Sequence, residues 1–242
     1  MLKLELKLER ERKIMKSEVV LAVVAHPDDE VIGVAGTLSR HAAKGDDVHI
    51  LILADGETSR SNNINSKLSV QGREDSANKV AKILGAKTVT CLSFPDNKLD
   101  TVSRLELAQA VENNVDKIGA TIIYTHHRGD VNIDHQRAHE AVIIASRPMP
   151  EQSVHTVLFF ETASSTEWQS PASDIIFAPN YFVDIEDYWC QKLQALKVYN
   201  AEMRNFPHTR SYKAIEALAV WRGAIVGKNM AEAFIIGRKI VS

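Results

Sequence analysis

The chain has 242 residues, 45% of them hydrophobic and 25% charged, a globular composition with length enough for one large α/β domain. A formal net charge of −2 leaves no electrostatic footprint for nucleic acid or an anionic surface, and no run approaches the roughly 20 apolar residues of a membrane span. Cys91 and Cys190 are too few and too far apart for a disulfide framework or a Cys-x-x-Cys metal site, so a reducing, cytoplasmic setting is expected.

Residues 1–18 alternate Leu with Lys or Glu over positions 2 to 8 and then turn charged, without the unbroken apolar core of a signal peptide. They are read as an N-terminal arm or an added edge strand, with no chemistry assigned. Residues 19–242 are expected to form a single domain, with a core over about 19–162 and a C-terminal extension over about 163–242.

The first strand signal, Val19–Ala25, runs directly into His26-Pro27-Asp28-Asp29-Glu30. Three adjacent acids repel one another and resist burial unless water or a cation compensates. His26, Asp28 and Asp29 offer the nitrogen and oxygen ligands that a catalytic zinc accepts, with Pro27 stiffening the turn. The plainer alternative is a solvated acidic turn that opens the next helix.

Further strand signals follow at Asp47–Leu53, Thr88–Leu92, Thr121–Thr125 and Thr156–Phe160. Between them, Val31–Lys44, Lys67–Leu84, Ser103–Ile118 and His135–Ser146 carry apolar residues at helical spacing. Strand and helix in alternation predict a Rossmann-like parallel sheet with helices on both faces. Ligands of such sheets sit beyond the carboxyl ends of the strands, where the loops starting at His26, Ala54, Ser93, His126 and Glu161 would meet. Gly33 and Gly36 lack a third glycine and a Walker loop, so they signal close helix–sheet packing; Asp55-Gly56-Glu57 likewise lacks a dinucleotide fingerprint.

The loop after the fourth strand, His126-His127-Arg128-Gly129-Asp130-Val131-Asn132-Ile133-Asp134-His135, is the second cluster of metal-ligating types. His135 and His139 are four apart and share a helix face, but His139 is expected to pack or hydrogen-bond on the helix. The last third is a strand and helix extension. Strand signals lie at Asp174–Ala178 and Tyr181–Asp184, a charged helix over about Glu186–Glu202, and another over about Tyr212–Val226. Phe206–Ser211 reads either as a helix break with Ser211 as N-cap or as a loop reaching the pocket of this chain or a neighbouring subunit. Trp168 is expected to cover a core edge or to stack on a sugar ring.

Taken together, Ala25-His26-Pro27-Asp28-Asp29-Glu30, the small-residue helix start after it and the Asp134–His135 pair resemble the LmbE-like or PIG-L family of zinc-dependent N-acetylglucosaminyl deacetylases. The resemblance covers most of the chain from Val19 onward. It implies a zinc ion, or another divalent metal such as Fe2+, on His26, Asp29 and His135, with Asp28 as general base. It implies a small-molecule amino-sugar substrate touched by Arg73, Asp96 and His127, and it leaves a homo-oligomer open, with the tail helices as its interface. Many relatives have His-Pro-Asp-His where this chain has Asn132-Ile133-Asp134-His135. Asn132 can donate to an oxyanion but cannot deliver a proton, so either Asp28 makes both proton transfers or His126 or His127 substitutes. Asn132 as the cap of the following helix is the bland alternative. The rival function is a non-catalytic carbohydrate- or nucleotide-binding module on the same fold.

Overall fold

The computed structural model describes residues 17–54, 66–170 and 175–241, the side chains of 66–71 excepted. Most of the N-terminal arm, Asp55-Gly56-Glu57 and Asp174 lie outside the described residues.

Seven strands form one sheet in the order β3-β2-β1-β4-β5-β7-β6. The parallel part comprises β1 (Val19–Val24), β2 (Asp47–Ala54), β3 (Thr88–Phe94), β4 (Ile122–His126) and β5 (Thr156–Phe160). The run Val-Val-Leu-Ala-Val-Val makes β1 the centre: it pairs on both edges and is covered on both faces, so it shows no polar alternation. Helices α1 (Asp29–Lys44), α2 (Ser66–Leu84), α3 (Arg104–Ile118) and α4 (Ile133–Ala145) connect these strands. One face of the sheet is packed by α1 and α2 through Val31, Leu38, Val80 and Leu84, the other by α3 and α4 through Leu107, Val111, Ala138 and Val142. Gly33 lies against the Phe160 ring and Gly36 against Ile185, each so close that a Cβ would collide, which is the tight packing the glycine spacing predicts.

The extension adds β6 (Tyr181–Asp184), α5 (Trp189–Val198), α6 (Tyr212–Ile225) and β7 (Ala231–Lys239). Two expectations change here, and one strand is added. Residues 175–178 are not a strand. The helix expected over about Glu186–Glu202 is a 3-10 turn at Glu186–Tyr188 followed by the shorter α5. Beyond Val226, β7 inserts antiparallel between β5 and β6, a strand the sequence pattern does not announce. Its first four residues, Ala231, Glu232, Ala233 and Phe234, are all buried, so period-2 alternation is absent.

Glu232 is tolerated inside because it is fully engaged. It accepts the amides of Gly36 (3.0 Å) and Thr37 (2.8 Å) and the Lys192 ammonium (2.6 Å), while Lys192 also donates to the Ile32 carbonyl (2.8 Å). The pair thus serves both ends of the Ile32–Gly36 rung of α1 and bolts that helix to α5 and β7.

Candidate active site

The chain leaves β1 for β2 on one side, while β4 lies on the other, so the carboxyl ends of β1 and β4 flank the point where strand order reverses. Both polar clusters emerge there. His26 follows β1, and the segment from His126 to His135 leads from the end of β4 into α4.

His26, Asp29 and His135 each turn one ligand atom to a common point, these atoms lying within 4.8 Å of one another. Asp29 Oδ2 is 3.3 Å from His26 Nδ1 and 3.3 Å from His135 Nε2. The opposite ring nitrogens face carboxylates. His26 Nε2 is 3.0 Å from Asp134 Oδ2 and 3.1 Å from Asp96 Oδ1. His135 Nδ1 is 3.0 Å from Asp130 Oδ2 in a contact too bent to satisfy it as a hydrogen bond. Carboxylates behind the rings favour protons on those outer nitrogens and leave His26 Nδ1 and His135 Nε2 as lone-pair donors, the arrangement of metal-ligating histidines. Asp28, Asp29, Glu30, Asp96, Asp130 and Asp134 are all at most 5% exposed, and such a concentration of buried acid fits a cation at its centre.

Electrostatics follow from that crowding. Burial alone would lower the His26 imidazole, but Asp134, Asp29 and Asp96 hold it well above its ordinary value. Burial likewise opposes the His135 charge, yet Asp29 and Asp130 raise its pKa to about 9. Burial would raise Asp29, and the His135 and His126 rings beside it pull it well below the usual carboxylate range. Asp130 is held at about 2 against its burial, by His135, the Ser165 hydroxyl and the Asn132 amide.

Asp28 stands beside the His26–Asp29–His135 group without belonging to it. Its backbone is left-handed (φ 116°), a conformation that costs a non-glycine residue on the order of 1–3 kcal/mol. Its amide donates to Glu30 Oε2 (3.0 Å), and Glu30 Oε1 accepts the Tyr199 hydroxyl (3.0 Å). Its carboxylate receives Arg210 Nη1 at Oδ2 (3.0 Å). Burial pushes the Asp28 carboxyl up to about 7, with Arg210 opposing and Asp29 reinforcing the rise.

These groups line a polar cavity of about 160 Å³, to which Arg73, Asp96, Asn132 and Glu202 also contribute. Arg73 pairs with Glu202 (3.0 Å). Asn132 caps α4, its Oδ1 accepting the Asp134 amide (2.8 Å), and it lines the cavity as well. His127 is elsewhere: its ring meets the Ile175 carbonyl (3.3 Å) and the Phe177 ring, and it is not part of the cavity wall. His126 is fully buried, its Nε2 accepting the Ala25 amide (3.0 Å), its Nδ1 3.2 Å from Thr162 Oγ1 and its ring stacked on His135. Burial and the neighbouring His135 charge lower its pKa to about 4. His139 binds the His126 carbonyl (3.0 Å) and packs on Phe159, as the packing expectation has it.

Sequence reading gives four contributors no individual role. Asp130 and Asp134 back the two imidazoles, and Glu202 and Arg210 come from the extension. Ser211 does cap α6, accepting the Ala214 amide (3.1 Å), and its neighbour Arg210 does reach the pocket of its own chain, so both expectations for that loop hold together. Trp168 is 54% exposed, its edge against His208.

The profile of one protein family, PIG-L, described as GlcNAc-PI de-N-acetylase, matches residues 21–146. The chain is 28% identical over 193 residues to the "Uncharacterized deacetylase YaiS" of Escherichia coli strain K12, covering 77% of this chain and 92% of that protein. It is 25% identical over 231 residues to the diacetylchitobiose deacetylase of Thermococcus kodakarensis, covering 88% and 80%. Among solved structures, the N,N'-diacetylchitobiose deacetylase of Pyrococcus horikoshii shares the fold with a TM-score of 0.74 and 21% identity, covering 92% of this chain and 85% of that one.

Proposed function

The chain belongs to the PIG-L family, and on that premise we propose that it removes an N-acetyl group from an amino sugar or glucosaminyl conjugate by metal-assisted hydrolysis. The observation that carries this reading is the convergence of two imidazole nitrogens and one carboxylate oxygen within 4.8 Å, beside a buried carboxylate outside that set. The curated relative that acts on diacetylchitobiose supports the substrate class.

His26, Asp29 and His135 would hold a zinc ion, or another divalent metal such as Fe2+, as the donor set of two nitrogens and one oxygen suits. Such an ion supplies an acidified water and polarises the amide carbonyl. Asp28 accepts the proton as the water attacks. With both His126 nitrogens engaged and His127 outside the cavity wall, Asp28 also returns that proton to the leaving amine. Asn132, held by its cap bond, offers its amide to the oxygen that becomes negative. Asp96 and the Arg73–Glu202 pair form the wall that receives sugar hydroxyls. Residues 19–242 act as one unit in this scheme, because the extension completes the wall.

The test is acetate release from a panel of N-acetylated sugars, N,N'-diacetylchitobiose among them, with stripped and zinc-reloaded protein. Release that requires the metal supports the reading. Sugar binding without acetate release would make the chain a non-catalytic binding module.

A further inference from the structure

Among the described residues two guanidiniums face the cavity, and they are differently disposed. Arg73 pairs with Glu202 on the wall. Arg210 reaches across to the residue read as the general base, Nη1 to Asp28 Oδ2 at 3.0 Å, and braces its Nε on Ser164 Oγ at 2.9 Å. The loop that carries it is folded on itself: the Arg210 amide donates to His208 Nδ1 (3.0 Å) and its carbonyl accepts the Arg204 amide (3.2 Å). Arg210 is therefore anchored on its backbone and at two points of its side chain. Glu30 fixes the backbone of Asp28, but a backbone bond leaves the carboxylate free to turn about χ1 and χ2. Among the described residues, Arg210 is the cation that grips that carboxylate.

We propose that Arg210 is a positioning residue for the hydrolysis, orienting the Asp28 carboxylate toward the reacting water; this rests on reading Asp28 as the general base. With Oδ2 held by Arg210, Oδ1 takes a proton from water as the new C–O bond forms and the carbonyl electron pair moves onto the amide oxygen. The same proton passes to the nitrogen as the C–N bond breaks, giving acetate and free amine. Arginine stays protonated throughout, so Arg210 acts as a fixed charge and not as an acid.

Two measurements test this. On metal-free protein, a double-mutant cycle of Asp28→Asn and Arg210→Ala in urea unfolding reads the contact without reference to activity. The two substitutions should be coupled by roughly tenfold in the unfolding equilibrium constant, the low end for a charged hydrogen bond. Independent effects overturn the proposal. On zinc-loaded protein with N,N'-diacetylchitobiose, Arg210→Ala should lower kcat about 10- to 100-fold with KM and bound zinc near wild type. Added guanidinium ion should restore part of the loss. Unchanged kcat, a loss confined to KM, or a loss that tracks missing zinc overturns it. If Asp28→Asn turns over normally, the general-base reading fails and Arg210's role falls with it; if Asp28→Asn is inactive while Arg210→Ala is not, only Arg210's role fails.

Discussion

Tyr199, just past the end of α5, donates its hydroxyl to Glu30 in the first turn of α1 at 3.0 Å, joining residues 169 positions apart in a fully buried bond. Glu30 passes that anchorage to the strained Asp28 amide through its other oxygen. Tyr199→Phe strips one donor from a buried carboxyl group, and a loss of about 1–3 kcal/mol in urea-unfolding stability is expected. Wild-type stability would show that the hydroxyl contributes nothing to the strut.

Stability should also depend on pH through Glu30. Burial raises its folded pKa to about 8, well above its ordinary value of 4.5. The folded state therefore holds this proton more tightly than the unfolded chain does. The resulting stabilisation is complete below about pH 4.5 and is lost as pH rises towards 8. Glu30→Gln mimics the protonated form, so the stability of metal-free Glu30→Gln should fall less than wild type between those limits. Parallel curves would remove Glu30 from the explanation.

Metal binding should separate the two histidines of α4. His135→Ala removes a proposed ligand, while His139 is engaged with the His126 carbonyl and Phe159. Zinc content after dialysis should collapse in His135→Ala and stay near wild type in His139→Ala. Equal retention in both would reject the ligand assignment.

Asp28→Asn should bind zinc normally and turn over about 10²- to 10⁴-fold more slowly, the usual worth of acid–base catalysis. The proton-accepting form is the carboxylate, so kcat/KM should fall on the acid side of the Asp28 pKa, which burial places at about 7 in the metal-free protein. A bound cation favours the carboxylate and moves that limb lower. A metal-free Asp28→Asn protein would mean that this residue is itself a ligand.

Asn132 has two separable duties. Its Oδ1 caps α4, and an N-cap deletion costs about 1 kcal/mol. Its amide, if it meets the developing oxyanion, is worth roughly 100- to 1000-fold in turnover. Asn132→Asp keeps the cap oxygen and lacks the donor, whereas Asn132→Ala loses both. Asn132→Asp should therefore melt near wild type yet hydrolyse poorly. Full turnover in both variants would reduce Asn132 to a cap.

The parallel strands were legible because buried strands announce themselves as largely apolar runs: β1 and β5 match their expected bounds to within a residue. His26 and Asp29 were legible because one turn supplies both, three positions apart. The loop of Arg210 was read as one that could reach the pocket, but its partner Asp28, 182 positions away, was not legible, since no spacing rule links a tail loop to the end of the first strand. His127 was misleading for a local reason. It follows the buried His126 at the end of β4, where neighbouring side chains point to opposite sides, so the two rings part company. β7 was hidden by its double-sided burial and its interior Glu232.

The position of β7 bears on how this protein is made. A ribosome delivers the chain from its amino end, yet β7, the latest described element, lies between β5 and β6 and carries the only ladder among the described residues that joins β6 to the sheet. While β7 is still in the exit tunnel, every residue of the five parallel strands and of the His26–Asp29–His135 group has been made, but β6 has no neighbour and Lys192 no Glu232. Were those strands to assemble first, the His26–Asp29–His135 donors would come together before the tail carrying Tyr199, Glu202 and Arg210 has docked. Competence to bind and competence to react would be acquired at different moments of synthesis.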